Sequence, residues 1–246
     1  MAFKKDFLTE KQTYLILRMG FWVILIQNSL FLLGGLAISY LSSPYGALTT
    51  TIPVLSPDNI VLQIDLVGFF VIGLGYIFLS KQNLQNLKTR NFQIGGLCIL
   101  GWLIPRIIWQ FFLYRLTSGA YPGIYTFQYD LPLVALLLLI SAILLAIGTI
   151  MIGSTQKGAG GLFIMIFGVL NLVASVLLFF TYFLLGPEPT QELIQELFNL
   201  YALTISTKLY IVPAMAIVAF RLLILELPKR KEEPEVSKFD LIAIKQ

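Results

Sequence analysis

Four side chains in this sequence could do polar chemistry in surroundings that exclude water: Asp65, Arg106, Gln110 and Lys208. Each lies in a long apolar run, where a charge costs roughly 2.5–3.5 kcal/mol at mid-membrane on insertion scales and so needs a reason. At helical rise, Asp65 falls about 7–8 Å inside its run and Arg106 and Lys208 about 10 Å inside theirs. Three ionisable groups thus share one level, and two readings fit. In one, Asp65 and Arg106 form an ion pair that tethers neighbouring helices, and Lys208 snorkels outward to the headgroups. In the other, all four residues line a polar cavity open to the outside. Two bases against one acid would then favour an anionic solute or a lipid headgroup. Gln110 is one helical turn beyond Arg106 on the same face. Pro105 leaves the Gly101 carbonyl without its helical donor, and Pro213 does the same to Leu209. Freed carbonyls beside buried charges recur in transport sites.

The chemistry that is missing narrows the function classes. The chain has no histidine, which excludes His-Glu-x-x-His zinc proteases and serine–histidine dyads. An aspartyl intramembrane site needs two membrane aspartates, and only Asp65 qualifies. The inner loops lack the clustered carboxylates a metal-dependent lipid phosphotransferase would use. Gly158 to Gly161 follows Lys157 without the Lys-Ser or Lys-Thr ending of a phosphate loop. A retinal Schiff base at Lys208 fits neither six spans nor the lysine's depth, and span three offers no acidic counter-ion. The single cysteine, Cys98, allows no internal disulfide. No enzymatic activity, cofactor or metal is expected.

These residues are positioned by apolar helices. Of 246 residues, 57% are hydrophobic and 12% charged, and mean hydropathy is +0.84; a soluble domain carries about 25% charged residues. The apolar residues form blocks that predict spans at about 20–41, 60–79, 92–113, 131–152, 161–185 and 202–225, each long enough to cross about 30 Å of hydrocarbon. The fold class expected is an all-α, polytopic six-helix bundle over residues 20–227. It is flanked by an N-terminal segment, 1–19, and a tail, 228–246. The loops on one side hold 13 basic residues: Lys4, Lys5, Lys11, Arg18, Lys81, Lys88, Arg90, Lys157, Lys229, Arg230, Lys231, Lys238 and Lys245. Opposite them lie Arg115 with Asp58, Asp130, Glu188, Glu192 and Glu196. Basic residues gather on the cytoplasmic side, so both termini are expected inside a cell membrane. The net charge of +4 then reflects topology and not a nucleic-acid partner. The partners expected are the lipid bilayer and either another membrane protein or a second copy of the chain.

Smaller signals complete the reading. Thr9-Glu10-Lys11-Gln12 fits a capping box, and residues 1–19 could lie along the membrane surface. Thr190 could cap an outer helix carrying Leu193, Ile194, Leu197 and Phe198, either lying flat or extending span six. Tyr121, Tyr125, Phe127 and Tyr129 suit the headgroup belt. Ile72-Gly73 with Gly95-Gly96 parallels Ile147-Gly148 with Gly160-Gly161, a hint of duplication. Asn28 and Asn171 suit interhelical hydrogen bonds, and the glycines suit close helix packing. The role expected is a structural or accessory membrane subunit; the alternative, given an outward-facing polar cavity, is a small transporter or channel.

Overall fold

The structure, a computed structural model, describes residues 8–41, 64–82, 89–117, 124–156, 158–184, 200, 203–204 and 206–227. Among these there is no strand. The helices are α1 (Glu10–Leu41), α2 (Ile64–Lys81), α3 (Thr89–Thr117), α4 (Ile124–Gly153) and α5 (Ala159–Leu184), followed by a π-helical turn (Thr207–Ile211) that leads into α6 (Val212–Glu226). Among the described residues, six segments are long and apolar enough to cross a membrane.

Each helix packs on the one before it, and α6 packs on both α5 and α1, so the six close into an antiparallel ring. Small residues set the register of the seams. A Cβ on Gly20 of α1 would lie 3.2 Å from the Gly68 carbonyl of α2, and one on Gly96 of α3 would lie 2.6 Å from the Gly73 carbonyl. Gly148 of α4 approaches Gly95 of α3 in the same way, at 3.0 Å. Gly148 therefore packs backwards on α3, whereas Gly161 meets Gly153. The two glycine sets paired in the sequence do different jobs.

The first helix begins with the capping box. Gln12 Oε1 accepts from the Thr9 amide at 2.9 Å, and the Gln12 amide donates to Thr9 Oγ1 at 3.3 Å. From Glu10 the helix runs unbroken to Leu41, so residues 10–19 belong to the same helix as the first span and form no separate surface helix. Residues 1–7, the outer segment after Leu184 up to Asn199, and the tail 228–246 lie outside the described residues.

The end of the ring where α1 begins is fastened by side chains. Gln82 Nε2 donates to Thr13 Oγ1 at 2.7 Å, Asn91 Nδ2 to Thr155 Oγ1 at 3.1 Å, and Arg18 Nη2 to the Leu227 carbonyl at 3.4 Å. The Gly160 amide, in the first turn of α5, donates to the Glu226 carboxylate at 2.6 Å. Next inward comes an aromatic column. Tyr76 donates to Gln156 Oε1 at 2.9 Å and lies 6.2 Å from Phe21, which lies 5.7 Å from Phe220. Phe220 in turn stands 6.0 Å from Phe69. Outward, the helices present large apolar side chains: on α1 alone Leu15, Met19, Trp22, Ile26, Leu30 and Leu33 are exposed. Apolar surface outside and polar groups inside is the reverse of a water-soluble bundle.

Candidate functional site

Above the aromatic column, towards the opposite end of the ring, lies a cavity of about 190 Å³. Polar side chains reach it from all round the ring: Gln27 and Asn28 from α1, Asp65 from α2, Arg106 from α3, Ser141 from α4, Asn171 and Ser175 from α5, and Lys208 from the π-helical turn that leads into α6. The glycine contacts limit how far neighbouring helices slide along one another, and at that register these residues face one cavity.

Helical spacing then builds a second layer. Phe69 is one turn from Asp65, Trp102 one turn from Arg106, and Phe167 one turn from Asn171, which is itself one turn from Ser175. All of them line the cavity. Because α2 runs opposite to α3 and α5, Phe69, Trp102 and Phe167 all fall on the inner side of the charges. Phe69 meets Trp102 edge-on at 4.6 Å and stacks with Phe167 at 6.4 Å, so the floor is aromatic.

Asp65 and Arg106 face each other with Oδ2 3.8 Å from Nη2, their side chains 17% and 28% exposed. That separation is too long for a hydrogen bond, so the pair attracts as charges without being locked. Asp65 lies in the first turn of α2, where free backbone amides and the helix dipole favour a carboxylate. Its Oδ1, Arg106 Nε and Gln27 Oε1 are buried with no hydrogen-bond partner among the described residues; Gln27 itself is 5% exposed. Lys208 has no acidic partner among the described residues. Two cations against one carboxylate leave the cavity with one net positive charge.

Lys208 owes its place to an irregular backbone. Between Thr207 and Ile211 the helix widens to π geometry, and the Val212 amide bonds to the Thr207 carbonyl. Pro213, just beyond, cannot donate an amide to Leu209. Such π turns concentrate at functional sites, because the extra residue redirects side chains that a regular helix would point elsewhere.

Asp65, Arg106 and Lys208 therefore meet at one cavity, while the side chain of Gln110 lies outside the described residues. Asn28 and Asn171 also line it. Asn28 donates to its own helix, to the Ile24 carbonyl at 2.9 Å, where an interhelical bond was expected. Gln27, Ser141 and Ser175 were not picked out from the sequence. The available signal was a polar residue one turn from an aromatic one, as in Gln27 with Phe31. Among the described residues no three His, Cys, Asp or Glu side chains gather to hold a metal. Comparison with protein-family models, curated proteins and solved structures gave no match.

Proposed function

We propose that this chain is a multi-pass protein of the cell membrane, both termini cytoplasmic, whose six-helix ring binds and transports a small anion without catalysing a reaction. The membrane part of this reading is supported by six apolar segments, by the apolar outer faces, and by the basic residues gathered in the loops of one side.

The observation that carries the anion part is the polar ring. All round the ring the helices place polar residues on the same cavity, its net charge is positive, and three buried polar atoms in it lack partners among the described residues. Each such atom costs about 1–3 kcal/mol while unsatisfied; a bound anion would accept from Arg106 Nε, while the acceptors Asp65 Oδ1 and Gln27 Oε1 call for a donor from water or from the ligand itself. The aromatic column below the cavity favours a carrier, which must rearrange to pass its cargo, over an open channel.

A structural or accessory subunit is the second reading, favoured by the Asp65–Arg106 pair, which ties α2 to α3. In that case Lys208 and the cavity are incidental, and the chain works through a membrane-protein partner or a second copy.

Thermal unfolding of the purified chain in nanodiscs separates the two. Sodium acetate or nitrate should raise Tm saturably, where sucrose at equal osmolarity does so without saturation. Lys208→Gln should abolish the anion shift while leaving the anion-free Tm within a few degrees. An unchanged Tm with either anion, or a full shift in Lys208→Gln, returns the choice to the structural reading.

A further inference from the structure

The grouping of the unpartnered atoms says more about the ligand, provided the anion reading above holds. Asp65 Oδ1 is a buried acceptor and Arg106 Nε a buried donor, and neither has a partner among the described residues. They belong to two groups whose other atoms are 3.8 Å apart. A ligand that completes both carries a hydrogen-bond donor for Asp65 Oδ1 and an acceptor for Arg106 Nε, and an anionic acceptor would also offset the positive charge of the cavity. Gln27, one helix over from Asp65, adds an amide to the acceptor side, and Lys208 adds a second cation to the donor side.

Charge restricts the class further. With Asp65 ionised, a monoanion brings the cavity to neutrality, whereas a zwitterion leaves one positive charge in a low-dielectric site and a dianion overshoots. Residual charge in such surroundings is costly. The aromatic floor of Phe69, Trp102 and Phe167 asks for an apolar body beneath the charged head. The size is small: 190 Å³ holds roughly six waters at about 30 Å³ each. It falls below the roughly 300–1,000 Å³ of pockets for drug-sized ligands.

We infer that the cavity takes a 2-hydroxy carboxylate with an apolar body. Its carboxylate lies between Arg106 and Lys208, its hydroxyl donates to Asp65 Oδ1, and its apolar part rests on Phe69, Trp102 and Phe167.

The test is a ligand panel on the full chain in nanodiscs, read by isothermal titration and thermal unfolding: 3-phenyllactate, 3-phenylpropionate, lactate, phenylalanine and sodium nitrate. Phenyllactate should bind saturably. Phenylpropionate, which lacks the hydroxyl, and lactate, which lacks the ring, should each bind at least about tenfold more weakly. Asp65→Asn should shrink the preference for phenyllactate over phenylpropionate; if that variant does not fold, the wild-type panel decides alone. Equal binding of phenylpropionate and phenyllactate overturns the hydroxyl assignment, and tighter binding of phenylalanine overturns the monoanion class. Nitrate matching phenyllactate overturns the inference and leaves the anion reading standing. No response to any anion overturns both.

Discussion

The Asp65–Arg106 pair serves both stability and binding, and the two can be separated by substitution. Arg106→Ala removes the counter-charge and leaves Asp65 alone in the cavity. Unfolding in detergent should then show a loss of about 1–3 kcal/mol, less than for a fully buried pair because both side chains are partly exposed. Adding Asp65→Asn to that variant should recover part of the loss, and the double-mutant cycle gives the coupling directly. Recovery of stability without recovery of anion binding is the expected pattern, since Arg106 also faces the ligand. At this scale the sequence was informative only about charge. Asp65, Arg106 and Lys208 stand out because an ionised group in an apolar run has few innocent explanations. Gln27, Ser141 and Ser175 do not, because neutral polar residues in apolar helices commonly bond to their own backbone one turn back. Thr149, Thr181, Thr204 and Thr207 do just that.

Among the elements, the seams decide whether the cavity's polar residues meet at all. The α2–α3 seam is the tightest of those that bear on the ion pair, with bare backbone on both sides at Gly73 and Gly96. Gly96→Ala would place a methyl 2.6 Å from the Gly73 carbonyl. The obstacle is backbone rather than a flexible side-chain tip, so the helices must separate or slide. A loss of about 1–3 kcal/mol is expected from such overpacking, measured as Tm. Anion affinity should fall with it, because the shift moves Asp65 relative to Arg106. Glycine-rich helices were evident in the sequence, but which glycine would meet which was not. Gly148 packing on Gly95 instead of on Gly160 or Gly161 is the example, because pairing across a seam depends on crossing geometry and register. The π-helical turn was equally hidden. Pro213 announced an irregularity near Lys208, yet a proline fits a kink, a cap or a π turn.

Across the whole molecule, orientation is the property most open to a direct check. With Cys98 replaced by Ala, single cysteines placed at Lys5 and Lys245 should both react with an impermeant maleimide only after the cytoplasmic face is opened, and one at Asp58 should react from outside. Labelling of both ends from outside would invert the site and make the cavity cytoplasmic. The sequence by itself determined that the chain is helical, that it has six segments apolar enough to span, and which residues are charged within them. Those properties are local: a long apolar run must satisfy its own backbone hydrogen bonds, and a helix does so within the run. Only the tertiary structure decided that the helices close into a ring, that its axis is filled by aromatic rings at one end, and that Asp65, Arg106 and Lys208 share a cavity with neutral polar partners. Those depend on how far each helix slides and turns against its neighbours. That is set by packing summed over every seam at once, and no single segment carries it.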